Sequence, residues 1–245
     1  MIGLTSVTFR KKAPEEIVRL ASESGMEMIE WGGDCHVTNP QEAARVRKLC
    51  AERNLATPSF GSYFTIGRDG EDALRQVCET ACALGAKTVR VWLGTKGSAD
   101  TDAAEYRELL EQTVQAAECA APYGLTLAFE FHRRTYNDTG ASCLKLLSDC
   151  GRPHIRTYWQ PFFEGADTES LKQVLPRVQN VHVFCWNAAG KRYRLAKGRA
   201  AWAQWISTLR GGGFAGDYIL EFCRRDSARI FQKDAATLRS LIGGD

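Results

Sequence analysis

The sequence predicts a single (β/α)8 barrel, and three observations support this fold class. Strand-like and helix-like runs alternate along all 245 residues and give eight pairs, and a barrel of this kind typically needs about 250 residues. No linker-like stretch divides the chain, so we expect one domain over residues 1–245. A doubly wound open sheet is the alternative, but it often carries a glycine-rich turn after its first strand, and residues 8–12 contain no glycine.

The elements follow one another with recognisable start and stop signals. Pro14 and Pro40 stand at the beginning of the first two helices, where a missing N–H is tolerated, and Gly25, Gly85 and Gly124 end helices. The predicted strands are 2–9, 26–31, 55–60, 88–93, 125–131, 155–160, 181–186 and 218–222. The predicted helices run over about 14–24, 39–53, 71–84, 102–123, 140–150, 168–174, 200–210 and 226–242.

Composition places the chain among ordinary globular proteins. Hydrophobic residues make up 44% and charged residues 25% of it, which excludes disorder as its main character. The net charge of +3 is too small to indicate a nucleic-acid partner, and no apolar run is long enough to span a bilayer. The N-terminus lacks a signal-peptide pattern, and the nine cysteines are scattered without a C-x-x-C motif. We therefore expect a cytoplasmic protein with reduced thiols and neither a membrane nor a nucleic-acid partner.

Two glutamates lie near the carboxyl ends of predicted strands, where barrels of this kind carry their chemistry. In the fifth strand Glu130 alternates with apolar residues and faces the barrel interior, with His132 above it as a candidate for substrate binding. Glu221 stands near the end of the eighth strand, three strands away around a closed barrel. Because burying an unpaired carboxylate is costly, both positions favour a functional role in which two carboxylates flank one substrate.

His182 and Gln160 complete a candidate metal site. His182 lies in the seventh strand, between the two glutamate strands, and Gln160 ends the sixth. Two carboxylates, an imidazole and an amide oxygen form a hard ligand set, which suits Mn²⁺, Mg²⁺ or Co²⁺ better than structural zinc. Such an ion would stabilise the enediolate formed when a proton leaves the carbon beside a carbonyl. Glu130 and Glu221 would then act as general acid and base.

Four segments give the chain a resemblance to a known family. It resembles, over nearly its whole length, the xylose-isomerase-like barrels of the sugar phosphate isomerase/epimerase family. The resemblance implies that Glu130, His182 and Glu221 are metal ligands and that the two glutamates are the acid–base pair of the epimerase members. The segments that carry it, by their order and spacing, are residues 25–31, 127–132, 181–183 and 216–221.

At the end of the sixth strand the chain departs from that family pattern. Gln160 stands where the family commonly has Asp, and Phe163 stands where a His often follows. A neutral amide contributes less charge to a hard divalent cation than a carboxylate does. Because of this departure, a further class of protein stays possible, namely a ligand-binding barrel that has lost its metal.

Further residues near the predicted strand ends are candidates for substrate binding. Trp31, Tyr63 and Trp186 offer aromatic faces to a sugar, and His36 follows two glycines that permit close approach, although a solvated loop explains His36 equally well. Glu30 is expected to orient other groups rather than to bind the ion. The loop after the seventh strand carries a basic run that suits an anionic substrate group or is simply a solvated surface, and its candidates are Arg192, Arg194 and Lys197.

The leading functional hypothesis is an isomerase or epimerase that acts, with a divalent metal ion, on a small sugar or sugar-derived hydroxy-carbonyl compound. A dehydratase of the inosose type could use the same enediolate. A DNA-repair nuclease is disfavoured, because that chemistry in the superfamily uses several metals and many histidines, whereas this chain has four dispersed ones. The sequence leaves open the substrate, the metal and the oligomeric state, with a homo-oligomer among the alternatives.

Overall fold

Eight parallel strands close into a barrel in chain order, and a helix follows each of them, which confirms the predicted fold class. The computed structural model describes residues 1–161, 168–187 and 189–243. The strands are β1 Ile2–Thr5, β2 Met28–Gly32, β3 Ser59–Ile66, β4 Thr88–Leu93, β5 Thr126–Glu130, β6 Ile155–Trp159, β7 Val178–Val183 and β8 Asp217–Leu220. The helices are α1 Pro14–Glu23, α2 Pro40–Ala51, α3 Glu71–Leu84, α4 Ala103–Ala120, α5 Gly140–Cys150, α6 Thr168–Val174, α7 Arg199–Gly211 and α8 Ala228–Gly243.

The first and third strands differ from their predicted ranges. β1 ends at Thr5, because residues 6–9 turn into a short 3-10 helix instead of continuing the strand to position 9. β3 begins only after Pro58, which has no N–H to donate to a sheet. It then continues to Ile66 with an irregular register between Gly61 and Thr65. The predicted range 55–60 was therefore displaced toward the N-terminus.

The seventh strand is also displaced from its predicted range of 181–186. It starts at Val178, because the polar residue Asn180 pairs with both neighbouring strands although it breaks the apolar run. It ends at Val183, so Trp186 lies in the loop that follows the strand. The apolar run therefore located the second half of this strand and missed the first half, where two polar residues follow Val178.

Helix boundaries follow the signals in the sequence closely. Residues 71–84, 140–150 and 168–174 are helical as predicted. The Asn39 side chain accepts a hydrogen bond from the N–H of Glu42 at the start of α2, and Asp102 forms a reciprocal capping box with Glu105 at the start of α4. Gly85 ends α3 in the left-handed conformation, at φ 80°. These caps fix where the chain enters and leaves the outer ring of helices.

The core has two apolar layers, and a polar region lies above the inner one. The outward faces of the strands pack on the helices in one continuous cluster that includes Trp31, Phe129 and Trp159. A smaller cluster inside the barrel consists of Met28, Ala128, Tyr158 and Ile219. Toward the carboxyl ends of the strands the interior becomes polar, with the buried side chains of Glu30, Arg90, Glu130 and His182.

Two expectations from composition can be compared with the structure. All nine cysteines are free thiols, as their scattered spacing suggested. No helix within the described ranges combines the length and the apolarity needed to cross a bilayer.

Candidate active site

His182 lies at the centre of a buried polar cluster at the carboxyl end of the barrel. Its side chain is fully buried and projects inward from β7. The Nδ1 atom lies 3.5 Å from Glu130 Oε1, 3.6 Å from Glu221 Oε2 and 3.2 Å from Gln160 Oε1. One ligand atom from each of Glu130, His182 and Glu221 lies within 4.8 Å of the others. The structure thus brings together all four residues for which the sequence predicted a metal site.

Glu30 fixes the orientation of the central imidazole from the opposite side. Its Oε1 lies 3.1 Å from His182 Nε2, and its Oε2 accepts a hydrogen bond of 2.8 Å from the Tyr158 hydroxyl, which Asn180 in turn holds. When Nε2 carries the proton, it donates a hydrogen bond to the Glu30 carboxylate. The lone pair of Nδ1 then faces Glu130 and Glu221. This is the orienting role that the sequence suggested for Glu30.

Gln160 is held with its carbonyl oxygen toward the cluster. Its amide nitrogen donates a hydrogen bond of 2.6 Å to the main-chain carbonyl of Phe131, so Oε1 points at His182. The side chain is buried, with 8% of its surface exposed. A neutral oxygen therefore faces the cluster at the position where the resemblance led us to expect a carboxylate.

The two glutamates of the predicted acid–base pair have different surroundings. Glu130 Oε2 accepts hydrogen bonds from Arg90 Nη1 and from Trp92 Nε1, the latter at 2.5 Å, while its Oε1 faces His182. Burial alone would raise the pKa of Glu130, but the guanidinium of Arg90 and the contact with His182 lower it well below its usual range. Both oxygens of Glu130 are thus engaged.

Glu221 has no comparable donors. No described side chain donates a hydrogen bond to its carboxylate, and its nearest cationic neighbour is His182 at 3.6 Å. Burial, together with the negative charge of Glu130, raises the pKa of Glu221 to about 7 although His182 opposes the shift. Of the two glutamates, Glu221 is the one suited to exchange a proton near neutral pH.

The charges of this cluster match a divalent cation. Three carboxylates, those of Glu30, Glu130 and Glu221, face one guanidinium, that of Arg90, so the sum with a neutral His182 is −3 + 1 = −2. The separations of 3.2–3.6 Å around Nδ1 are close to the roughly 3 Å between neighbouring ligands of an ion with bonds of about 2.1 Å. Without an ion, these glutamates raise the pKa of His182 to about 10 against the effect of burial. The residues present therefore fit a hard divalent metal.

A cavity of about 250 Å³ opens directly above the cluster. Glu130, Gln160 and Glu221 contribute to its floor, and most of its wall is aromatic. His132 stacks on Trp92 with ring centres 5.1 Å apart. Such a wall suits the flat or apolar face of a small cyclic or polyhydroxylated compound. The aromatic residues of the wall are Tyr63, Trp92, Phe184, Trp186 and Phe222.

Two of these aromatic residues have unusual backbone conformations. Tyr63 has φ 60° within β3, and Phe222 has φ 50° directly after Glu221. Bulky side chains avoid this left-handed region, and such strain concentrates at functional sites. The Phe222 N–H is held by Thr8 Oγ1 at 3.0 Å. Both conformations turn an aromatic ring toward the same cavity.

The structure brings some of the predicted substrate-binding residues to this cavity and leaves others outside it. Tyr63, His132 and Trp186 line it. Trp31 is fully buried in the layer between strands and helices, because it alternates with the inward-facing Glu30. His36 is buried and does not line the cavity, and its Nδ1 lies 2.9 Å from Ser6 Oγ.

The basic run after β7 has its own partners. Arg192 lies over the rings of Trp186 and Phe222 and donates to Asp226 Oδ1 at 2.7 Å. Lys197 lies over the ring of Tyr193, with its Nζ 3.6 Å from the ring centre. Arg194 and Lys197 do not line the cavity. Arg192 does not line it either, although it contacts two of the aromatic residues of its wall.

Arg90 is a site residue that the sequence analysis overlooked. It lies in β4 in phase with Thr88 and Trp92, is 1% exposed, and contacts both Glu130 and Glu30. A charged residue in the middle of an apolar strand was the available signal, the same one that identified Glu130.

Comparisons with known proteins agree with this architecture. A family sequence model described as a xylose isomerase-like TIM barrel matches residues 18–241. A 3-dehydroshikimate dehydratase from Bacillus anthracis is 26% identical over 195 residues, which cover 74% of this chain and 70% of that protein.

Solved structures show the same barrel. The probable 3-DHS dehydratase involved in petrobactin synthesis from Bacillus anthracis is similar with a TM-score of 0.83 and 22% identity, over 97% of this chain and 98% of that one. A D-psicose 3-epimerase in the presence of D-fructose gives a TM-score of 0.76 and 16% identity, over 99% of both chains. A 3-keto-D-glucoside 4-epimerase from E. coli gives 0.74 and 19%, over 98% of both. At these identities the likeness concerns the fold alone.

Proposed function

The chain belongs to the xylose isomerase-like TIM barrel family, and on that premise we propose that it is a divalent-metal-dependent isomerase or epimerase of a small hydroxy-carbonyl compound of the sugar class. One observation carries the proposal. The ligand atoms of Glu130, His182 and Glu221 converge within 4.8 Å at the floor of an aromatic cavity, and Glu30 orients the imidazole among them. Related proteins of this fold are epimerases and dehydratases.

In this proposal Glu130, His182 and Glu221 hold the metal, and Gln160 adds its amide oxygen. When bound, the ion supplies the positive charge that stabilises an enediolate after a proton leaves the carbon beside the substrate carbonyl. The aromatic wall positions the carbon skeleton over the carboxylates and excludes water from them. Mn²⁺ and Mg²⁺ are the ions that this set of ligands favours, with Co²⁺ as a further choice.

The two glutamates divide the work unequally. Glu221 would hold the metal through one carboxylate oxygen and take the proton from the substrate carbon with the other, because no described side chain donates a hydrogen bond to this carboxylate. Glu130 acts mainly as a ligand, since Arg90 and Trp92 occupy one of its oxygens and His182 faces the other. This one-sided arrangement suits an isomerase, in which one base moves a proton between neighbouring carbons, whereas epimerisation would also require Glu130 to deliver a proton to the opposite face, as the resemblance implied.

Dehydration is the second candidate function, and two observations favour it. The curated relative is a 3-dehydroshikimate dehydratase, and a one-sided base is sufficient for an elimination. In that reaction Glu221 takes the proton beside the carbonyl, a C=C bond forms as the bond from the next carbon to its hydroxyl breaks, and the protonated Glu221 returns its proton to the hydroxyl, which leaves as water. An isomerase or epimerase instead returns the proton to carbon.

Incubation in D₂O distinguishes these outcomes. The metal-loaded protein is given a panel of ketoses, aldoses, inososes and 3-dehydroshikimate, and products are followed by NMR and by ultraviolet absorbance. An isomerase or epimerase yields a product with the same composition as the substrate, except that deuterium replaces hydrogen at one carbon. A dehydratase yields a conjugated product that has lost water. The Glu221→Gln protein is the matched control. If the protein holds the metal and catalyses neither reaction on any member of the panel, the proposed function is contradicted for these substrate classes.

A further inference from the structure

A second cavity lies at the opposite, amino end of the barrel and has an unusual charge. It has a volume of about 250 Å³ and lies between the starts of β6 and β7 and the loop that precedes β8. Arg156 lines it and shares the interior face of β6 with Tyr158 and Gln160. Four residues separate Arg156 from Gln160, which is about 13 Å along the strand. The cavity is therefore distinct from the candidate active site.

Arg156 is a half-buried cation without an anionic partner among the described residues. Its Nη2 donates to the main-chain carbonyls of Pro176 and Val178 at 3.2 and 3.3 Å. Its Nε is buried and has no acceptor in the described part of the chain. Burial and the nearby positive charge of Arg177 lower the pKa of Arg156, and no described carboxylate counteracts them. A guanidinium in this environment lacks the counterion that a partly buried charge ordinarily has.

The glycine-rich loop 212–216 forms the facing wall and adds main-chain donors. Gly216 lies so close to β7 that a Cβ atom there would be 1.9 Å from the carbonyl oxygen of Gln179, so only glycine permits this approach. Among the described residues, neither the N–H of Ala215 nor that of Gly216 has an acceptor. Unpaired amides beside an arginine form the kind of concavity that binds oxyanions.

From these observations we infer that the amino end of the barrel is a binding site for a phosphate-class oxyanion, held by Arg156 with the Ala215 and Gly216 amides. A tetrahedral oxyanion presents acceptors in several directions, which suits donors that come from a strand and from a facing loop. A planar carboxylate would need a bidentate edge of the guanidinium, whose Nη2 is already engaged. Bound there, the anion would join the starts of β6, β7 and β8, whose other ends carry Gln160, His182 and Glu221.

The test measures stabilisation of the full chain by inorganic phosphate and by sulfate, against chloride at matched ionic strength. At a concentration one hundred times its dissociation constant, phosphate is expected to lower the unfolding equilibrium constant about 100-fold. Arg156→Met retains the aliphatic stem and should abolish the effect, and Arg156→Lys should retain part of it. Arg107→Met is the matched control and should behave as wild type, since Arg107 is exposed on α4 and, in the described part of the chain, forms its hydrogen bond within its own helix.

Glycerol 3-phosphate identifies the source of the anion, since tighter binding than phosphate points to a phosphorylated metabolite and equal or weaker binding points to free phosphate. Modification of wild-type Arg156 by phenylglyoxal, mapped by mass spectrometry, gives a measurement that does not depend on the variants folding. Phosphate should slow this modification and chloride should not. The proposal is overturned if phosphate stabilises no more than chloride, if it stabilises Arg156→Met equally, or if it leaves Arg156 unprotected.

Discussion

The two ends of the barrel carry opposite uncompensated charges on different strands. At the carboxyl end, Glu30, Glu130 and Glu221 outnumber their single guanidinium partner, Arg90. At the amino end, Arg156 lies near a second arginine, and no described carboxylate faces it. The net charge of +3 shows neither feature. The sign of the local charge imbalance, rather than the overall charge, therefore indicates which ligand each end can hold.

The largest effect is expected from Glu221→Gln, which keeps the shape of the side chain and removes the base. We expect turnover and proton exchange with solvent to fall by about 10²–10⁴-fold, because Glu130 is engaged by Arg90 and Trp92 and cannot replace it. Phosphate stabilisation at the amino end should be unchanged. Exchange kinetics in D₂O with the identified substrate measure the first effect, and near-native exchange in Glu221→Gln would show that another group is the base.

Arg90→Met tests the charge balance at the carboxyl end through stability and metal binding, without measuring catalysis. Removing this guanidinium leaves Glu30 and Glu130 buried without it, so we expect the metal-free protein to lose about 3–5 kcal/mol of unfolding free energy. A bound divalent ion should restore more stability to this variant than to wild type, since the cluster is then more negative.

Urea unfolding with chelator and with added Mn²⁺ measures both quantities for Arg90→Met. The surface variant Arg107→Met should stay within about 0.5 kcal/mol of wild type. A metal-free Arg90→Met protein as stable as that control would show that the glutamates do not depend on Arg90.

Stability should depend on pH in opposite directions with and without the metal. The folded-state pKa of Glu221, about 7, lies above its ordinary value of 4.5, so its contribution to stability is complete below about 4.5 and is lost as pH rises through 7. His182, raised from 6.5 to about 10, extends this loss to higher pH. The metal-free protein should therefore lose up to about 1.4 kcal/mol per pH unit from Glu221 between pH 5 and 7. The metal binds the deprotonated groups, so its stabilisation should grow over the same range.

Thermal unfolding from pH 5 to 9, with chelator and with Mn²⁺, tests these slopes. Burial raises the pKa of Asp234 to about 6. This residue therefore contributes equally to the measurements with chelator and with Mn²⁺, and its effect cancels in their difference. Glu221→Gln should flatten the metal-free series below pH 7. A metal-free protein that gains stability from pH 5 to 8 would contradict the assigned direction.

Gln160→Asp tests the position at which the chain departs from its family. An added carboxylate should tighten Mn²⁺ binding by about tenfold, provided that the shorter side chain reaches the ion. The same change removes the amide donor to the Phe131 carbonyl, so the metal-free protein should lose about 1 kcal/mol. Calorimetric titration of metal into both stripped proteins measures the first effect. Unchanged or weaker binding would assign Gln160 to substrate hydrogen-bonding rather than to the metal.

The sequence predicted the barrel because each element had its own local signal, such as Asn39 at a helix start or the apolar alternation around Glu130. Glu130, His182 and Glu221 were recognisable because charged or polar residues in apolar strands are rare without a function. The pairing of Arg90 with Glu130 was not predictable in the same way, since it joins residues 40 positions apart through the register of β4 and β5. The unequal surroundings of the two glutamates, and the position of Trp31 outside the cavity, likewise depend on packing across strands.

The smallest effects are expected from the basic run after β7, which the sequence offered as an anion-binding loop. Lys197 lies over Tyr193 and Arg194 lies away from the cavity, so Arg194→Gln and Lys197→Gln should change KM by less than about twofold for an anionic substrate and for its uncharged analogue alike. Arg192→Gln should raise KM a few-fold for both, because it removes packing on Trp186 and Phe222 and because Asp226 already balances its charge. Steady-state kinetics with the paired substrates measure the difference. If any of these variants raises KM for the anionic substrate alone, the carboxyl end of the barrel recognises anions as well as a metal cation, and the contrast between the two ends is weaker than their buried charges indicate.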